Sequence, residues 1–385
     1  MHLHLVSRRH SSRLIAPFLA LFTVAPLLAG CPSPSDDDDD DGIAILGGGS
    51  HSVDSVILTE VASGSSELDT PRDLAFNPES PNDLYVVNHD NTGLTIIFDA
   101  ASEDADAVAF SSFGSDHFLI DPSSIAFGKD GRFATVHETD ELTQGPPPFG
   151  TPEDFMGPTL WDSDPDIFDG GHSGHLDMLH NSPLAMGVAW EKDNIFWVFD
   201  GYHSSVTRYD FKDDHGPGGT DHTDGVVARF VEGEVDRRAN TPSHMEFDHD
   251  TDRLYIADTG NKRIAVLDTT TGEDGGNINP NYDTAGPGST GSQYEVVNAD
   301  ISTLVDGEEH NMTRPSGLAL RDGVVYVSDN KRSNIMAYDM ETGELLDFLS
   351  LELEEGALMG IEFDADGNLW FADALDNRIV RISLP

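Results

Sequence analysis

The chain has 385 residues, with 70 Asp and Glu against 21 Lys and Arg and a formal net charge of −49. Such a surface excludes nucleic acid as a partner, because phosphate contacts need Lys and Arg, and it excludes charge-driven docking on anionic lipid headgroups. One cysteine in the whole chain excludes a disulfide framework and a cysteine-rich metal site.

In chain order, the first element is an export signal. Arg8, Arg9 and Arg13 form a cationic head, an apolar run follows from Leu14 to Leu28, and "LLAGC" closes it. That apolar run is too short for a comfortable membrane span and has the layout of a secretory signal. Leu28-Ala29-Gly30-Cys31 resembles the lipobox of bacterial-type lipoproteins, which implies lipidation at Cys31 and a mature chain beginning there. The expected organisation is a signal peptide at 1–30, a tether at 31–52 and a folded body at 53–385. "PSPSDDDDDDG" and "GGGSHS" make the tether self-repelling and extended, holding the body off a membrane of the cell envelope.

The body is built from one pattern repeated six times, beginning at Thr70, Asp121, Ser182, Thr241, Arg314 and Ala357. Each copy is a short strand, a turn, a second strand ending at Asn88, His137, Asp200, Asp258, Asp329 or Asp373, a polar turn and a third strand. "LYIAD", "VYVSD" and "LWFAD" alternate β-branched or aromatic residues with small ones, which is strand chemistry. The side chain that ends each second strand is expected to cap the following turn.

"YIADTGNKRIAVLD" and "WFADALDNRIVRIS" resemble NHL repeats. That resemblance covers nearly all of 53–385 and implies an all-β, six-bladed β-propeller of the NHL/TolB-like type. "DAVAFSSFG", "GVVARFVEG" and "GELLDFLSL" read as outer fourth strands of three blades. The sixth blade lacks one, and "VDSVILTEVA" at 53–62 has the length and alternation to supply it, closing the ring and leaving no open edge.

Candidate chemistry is concentrated in histidine. Alignment of the copies places Asp73, Ser124, Gly187, His244, Gly317 and Gly360 at one position near the start of the inner strand. His117, His180 and His310 share a single offset, five residues before the position of Pro122, Ala185 or Pro315. Together with His244 they predict a divalent-metal site at the channel mouth, because imidazoles from separate loops suit zinc or copper. Met178, Met245 and Met312 lie nearby, as copper would favour, although Met beside an inner strand is more often core filling. Accessory groups are Arg72, Asp73, His175 and Asp177.

Half of the histidines fall between His172 and His249, largely in two loops expected at 141–182 and 212–225, the first read as an insertion between blades two and three. Calcium is less favoured at Asp162, Asp164 and Asp166, where Ile167 stands in place of the glycine of an EF-hand loop.

Among propellers, the body is distantly similar to the peptidyl-hydroxyglycine amidating lyases, whose channel metal is held by histidines that follow the inner-strand proline. Here Arg72, Ser123, Ser243 and Ser316 occupy those places, and His244 is one residue further on. Two functions remain open from sequence. One is a metal-dependent lyase or hydrolase acting on a small molecule or peptide. The other is a non-enzymatic binding module of the envelope that presents its channel mouth to a small-molecule, peptide or protein ligand, with a structural metal or none. The chain is expected to be monomeric.

Overall fold

A computed structural model of the protein describes residues 42–111, 118–140, 156–168, 174–218, 224–278 and 292–385. The described strands form six sheets, the blades of a β-propeller. Blade one is β2 (Pro71–Asn77), β3 (Ser80–Asn88), β4 (Gly93–Phe98) and β5 (Asp106–Ser111), antiparallel in that order from the axis outward. Blade two is β6 (Pro122–Phe127), β7 (Arg132–His137), β8 (Met156–Asp162) and β9 (His175–His180). Blade three is β10 (Ala185–Lys192), β11 (Ile195–Asp200), β12 (Ser205–Asp210) and β13 (Val226–Phe230).

Blade four is β14 (Met245–Asp248), β15 (Arg253–Asp258), β16 (Arg263–Asp268) and β19 (Ile301–Asp306). Between β16 and β19 the chain makes a hairpin, β17 (Glu273–Asn277) and β18 (Ser292–Val297), that leaves its own blade. β18 pairs in parallel with β13 and extends blade three to six strands. Blade five is β20 (Pro315–Arg321), β21 (Val324–Asp329), β22 (Asn334–Asp339) and β23 (Leu345–Ser350). Blade six is β24 (Leu358–Phe363), β25 (Leu369–Asp373) and β26 (Arg378–Ser383), completed by β1 (Ile57–Ala62) in the register Leu58 to Ile382 and Thr59 to Arg381. The ring closes as the sequence predicts, and the outer edge of β26 is covered.

The core consists of six apolar clusters, most of them lying between neighbouring blades. Along each inner strand one side chain faces back and the next faces forward, following the period-2 geometry of a strand. Leu74 thus packs with Met359 and Trp370 of blade six, and Ala75 packs with Ile125 and Phe133 of blade two. The strand-end acids cap their turns. Asp329 accepts from the backbone N–H groups of Lys331 at 3.0 Å and Thr313 at 2.7 Å, and Asp373 accepts from Asp376 N–H at 3.1 Å and Arg378 Nε at 2.9 Å.

Two parts of the fold differ from the sequence reading. Leu46, inside the expected tether, is fully buried in the cluster that joins blades five and six. Nearby, Gly49 N–H donates to Asp347 at 3.0 Å and His51 stacks on Phe348 at 3.9 Å. The "GIAIL" segment has apolar surface to bury, and the Asp run before it hides that in the composition. The stretch 141–182 is not an insertion between blades: it contains β8 and β9, the third and outer strands of blade two. Gly157 and Pro158 mask the strand pattern of β8.

Candidate functional site

The inner strands deliver polar side chains to the axis in layers. In the first, Asp73 of blade one and His244 of blade four come from opposite sides of the ring and meet, Asp73 Oδ1 lying 3.3 Å from His244 Nδ1. His244 Nε2 lies 3.2 Å from the carbonyl oxygen of Ser123 in blade two, so both ring nitrogens face oxygen acceptors. Asp73 Oδ2 accepts from Ser124 Oγ at 2.6 Å and from Ile125 N–H at 3.0 Å. Both residues are buried.

Burial pushes the Asp73 carboxyl above its ordinary range, against the pull of His244 and of its hydrogen bonds. Glycine fills other places of this layer because backbones crowd there: a Cβ on Gly187 would lie 2.1 Å from Ser243 O, and one on Gly360 would lie 2.5 Å from Asp73 Oδ1.

Arg72 caps this layer. It is buried, its Nη1 donates to Asn240 O at 2.5 Å, and its pKa is lowered by burial. Asn240 is fixed in turn by its N–H bond to Glu138 at 2.8 Å.

Two residues further along the inner strands lies a second layer of Ala75, Ala126, Ala189, Glu246, Ala319 and Glu362. Four alanines leave room for two glutamates, one from blade four and one from blade six. Both sit deep inside the ring and remain in partial contact with solvent. Burial, and then the charges of Glu362 and Asp73, raise the Glu246 carboxyl well above the ordinary range. Burial raises that of Glu362 to about 7, with Asp73 adding to the effect.

A different cluster lies away from the axis. Asp177 on β9, with His215 and Asp224 from the loop between β12 and β13, can each offer a ligand atom within 4.8 Å of the others. His215 Nε2 is 3.0 Å from Asp224 Oδ1.

The predicted four-histidine mouth is not assembled by the described residues. His117 lies outside them. His180 ends β9, three strands out from the inner edge of blade two, or about 14 Å at ordinary strand spacing. Its carbonyl accepts from Tyr209 Oη at 2.8 Å. His310 ends the short helix α1 (Gly307–His310) and packs edge-on against Tyr338 of β22, two strands out, with ring centroids 5.4 Å apart. Five residues before an inner strand, the chain is still crossing the outer part of a blade, so a shared offset there does not bring side chains to the axis. Among the described histidines of this set, only His244 reaches it.

Met178, Met245 and Met312 are buried in apolar clusters. His175 is buried and stacks on Phe118 at 4.2 Å. Asp162 and Asp164 accept backbone N–H bonds from Asp164 and Asp166, at 2.9 and 3.0 Å, so they shape the turn after β8. Among the described residues, no group of three metal-ligating side chains includes them, His180, His244 or His310.

Sequence reasoning missed Glu246 and Glu362, although the same alignment that found His244 shows four alanines and two glutamates at the next inward position. A groove of about 780 Å³ lined by Phe247, His249, Arg253, Tyr255, Arg321 and Glu341 lies at the other end of blades four and five. It does not reach the layer of His244.

No protein-family model and no curated protein matches the sequence. Solved structures match its fold. Streptogramin B lyase is 12% identical with a TM-score of 0.50, over 86% of this chain and 98% of that one. Luciferin-regenerating enzyme is 12% identical with a TM-score of 0.51, over 85% and 95%. An auxiliary nutrient binding protein from Bacteroides thetaiotaomicron is 12% identical with a TM-score of 0.54, over 85% and 76%. At such identities the likeness defines the class, a six-bladed β-propeller. Two of these neighbours are named as enzymes and one as a binding protein, so the fold leaves the activity to be argued from the site.

Proposed function

We propose that this chain is an exported propeller enzyme, a lyase or hydrolase, held to a membrane of the cell envelope by lipid on Cys31 and working by acid–base chemistry inside its channel. The carrying observation is the convergence of Glu246 and Glu362, among four alanines, beneath the Asp73–His244 contact. Enclosure raises both carboxyls, so near neutral pH the pair holds a proton between its members. One member can donate a proton to a leaving group while the other removes one from substrate or water, the division of labour that lyases and hydrolases need.

In this reading the blades are of the NHL kind, the protein acts as a monomer, and its substrate is a small molecule or peptide that fits a propeller channel. Kinship with the amidating lyases is not part of the proposal, because His180 and His310 stay out of the channel. The metal-ligating group of Asp177, His215 and Asp224 lies away from this chemistry.

Assays of ester and lactone hydrolysis and of elimination across a substrate panel test the reading. Glu246→Gln and Glu362→Gln should each lower kcat by about 100-fold or more while leaving the circular dichroism of the sheets unchanged. Parental turnover in both variants would remove the pair from the chemistry. A second reading, a binding module, is favoured by one observation: Arg72 and the Asp73–His244 contact close the channel at one end. Stoichiometric ligand binding without turnover would select it.

A further inference from the structure

We infer that Asp177, His215 and Asp224 form a zinc site that clamps the β12–β13 loop of blade three onto the outer strand of blade two. This inference is independent of the acid–base reading of the channel. The three ligand atoms lie within 4.8 Å of one another.

Met178 packs in the cluster of blades one and two, and Leu179 in that of blades two and three. Leu176 also packs in the second of these clusters and the register with β8 shifts between the pairs Leu160–Asp177 and Trp161–His175, so β9 departs from strict alternation beside Asp177. The loop is anchored on both sides of that carboxylate. Gly218 N–H donates to His175 O at 2.8 Å, and Gly225 lies so close on Leu179 that a Cβ would fall 2.5 Å from Leu179 Cδ2. Within the loop, Asp213 N–H donates to Asp224 Oδ2 at 3.3 Å, and Arg132 of blade two pairs with Asp214, next to His215.

The donor set selects the ion. Two carboxylates and one imidazole converge, and Asp177 is fully buried. An imidazole as third donor suits zinc and disfavours calcium and magnesium, which take oxygen ligands. Three protein ligands leave a tetrahedral ion one position for water. Bridging two blades, the ion would stiffen the part of the ring where the repeat is least regular.

The test titrates zinc alone into the full chain after chelator treatment, by calorimetry and by thermal melting. One zinc per chain is expected, with a higher melting temperature. Affinity should fall by about 100-fold or more in Asp177→Asn and in His215→Gln. His215 lies on a partly exposed loop, so its variant keeps the test valid if the buried Asp177 substitution does not fold. Glu246→Gln should bind zinc as the parent does. The inference is overturned if no stoichiometric zinc binds, if His215→Gln binds zinc like the parent, or if calcium fills the site at one equivalent where zinc does not.

Discussion

Blades five and two follow one four-stranded plan and use it differently. Blade five runs from Pro315 to Ser350 with short turns, and Asp329 ties its second turn and its entry loop together through N–H bonds from Lys331 and Thr313. Blade two runs from Pro122 to His180, its second strand ends in His137 where blade five has Asp329, and its third strand begins only at Met156. The regular blade contributes scaffold. The interrupted one contributes Asp177, a ligand atom within reach of His215 and Asp224. Residues released from the repeat are free to carry chemistry, and the regular blades hold them in place.

Several substitutions would break or sharpen this contrast. Deleting β1 should have the largest effect, because it bares the edge of β26 and opens the ring. The expected result is aggregation or loss of a cooperative melting transition. Trp370→Ala, in the regular part, should cost about 3–5 kcal/mol in denaturant unfolding. The ring is fully buried, and Asp364 would lose the bond from Trp370 Nε1 at 2.9 Å. Asp329→Ala should cost about 1–3 kcal/mol by leaving its N–H donors unpaired.

Stability against pH probes the axis that both blades share. Glu362 titrates at about 7 in the folded chain against an ordinary 4.5. Folding therefore favours its protonated form, and that contribution to stability is full below 4.5 and is lost as pH rises through about 7. Glu362→Gln should flatten the fall in melting temperature between about pH 5 and 8. Cys31→Ser should have the smallest effect on folding. The melting temperature of the body should not change, while the protein should leave the membrane fraction on cell lysis; retention there would refute lipid anchoring.

Much of the fold was legible because strand alternation and turn chemistry are local. Six copies, the capping acids and the closing strand all follow from neighbouring residues and a ring that must bury its edges. The two misread segments each hide their pattern locally: Gly157 and Pro158 within β8, and the Asp run before Leu46. The site was legible only at its centre. His244 and Asp73 sit on inner strands, whose radius from the axis is set by the repeat itself. His180 and His310 sit in connections, where sequence offset carries no information about radius.

By itself, then, the sequence determined the class of fold, its number of blades and the residues at the start of each inner strand. Each depends on backbone patterns that repeat within a few residues. The tertiary structure alone decided which side chains meet. Asp73 and His244 belong to blades one and four, Glu246 and Glu362 to blades four and six, and Asp177 faces a loop from the next blade. Those encounters join residues far apart in the chain, and they depend on the curvature of the closed ring, which no local pattern encodes.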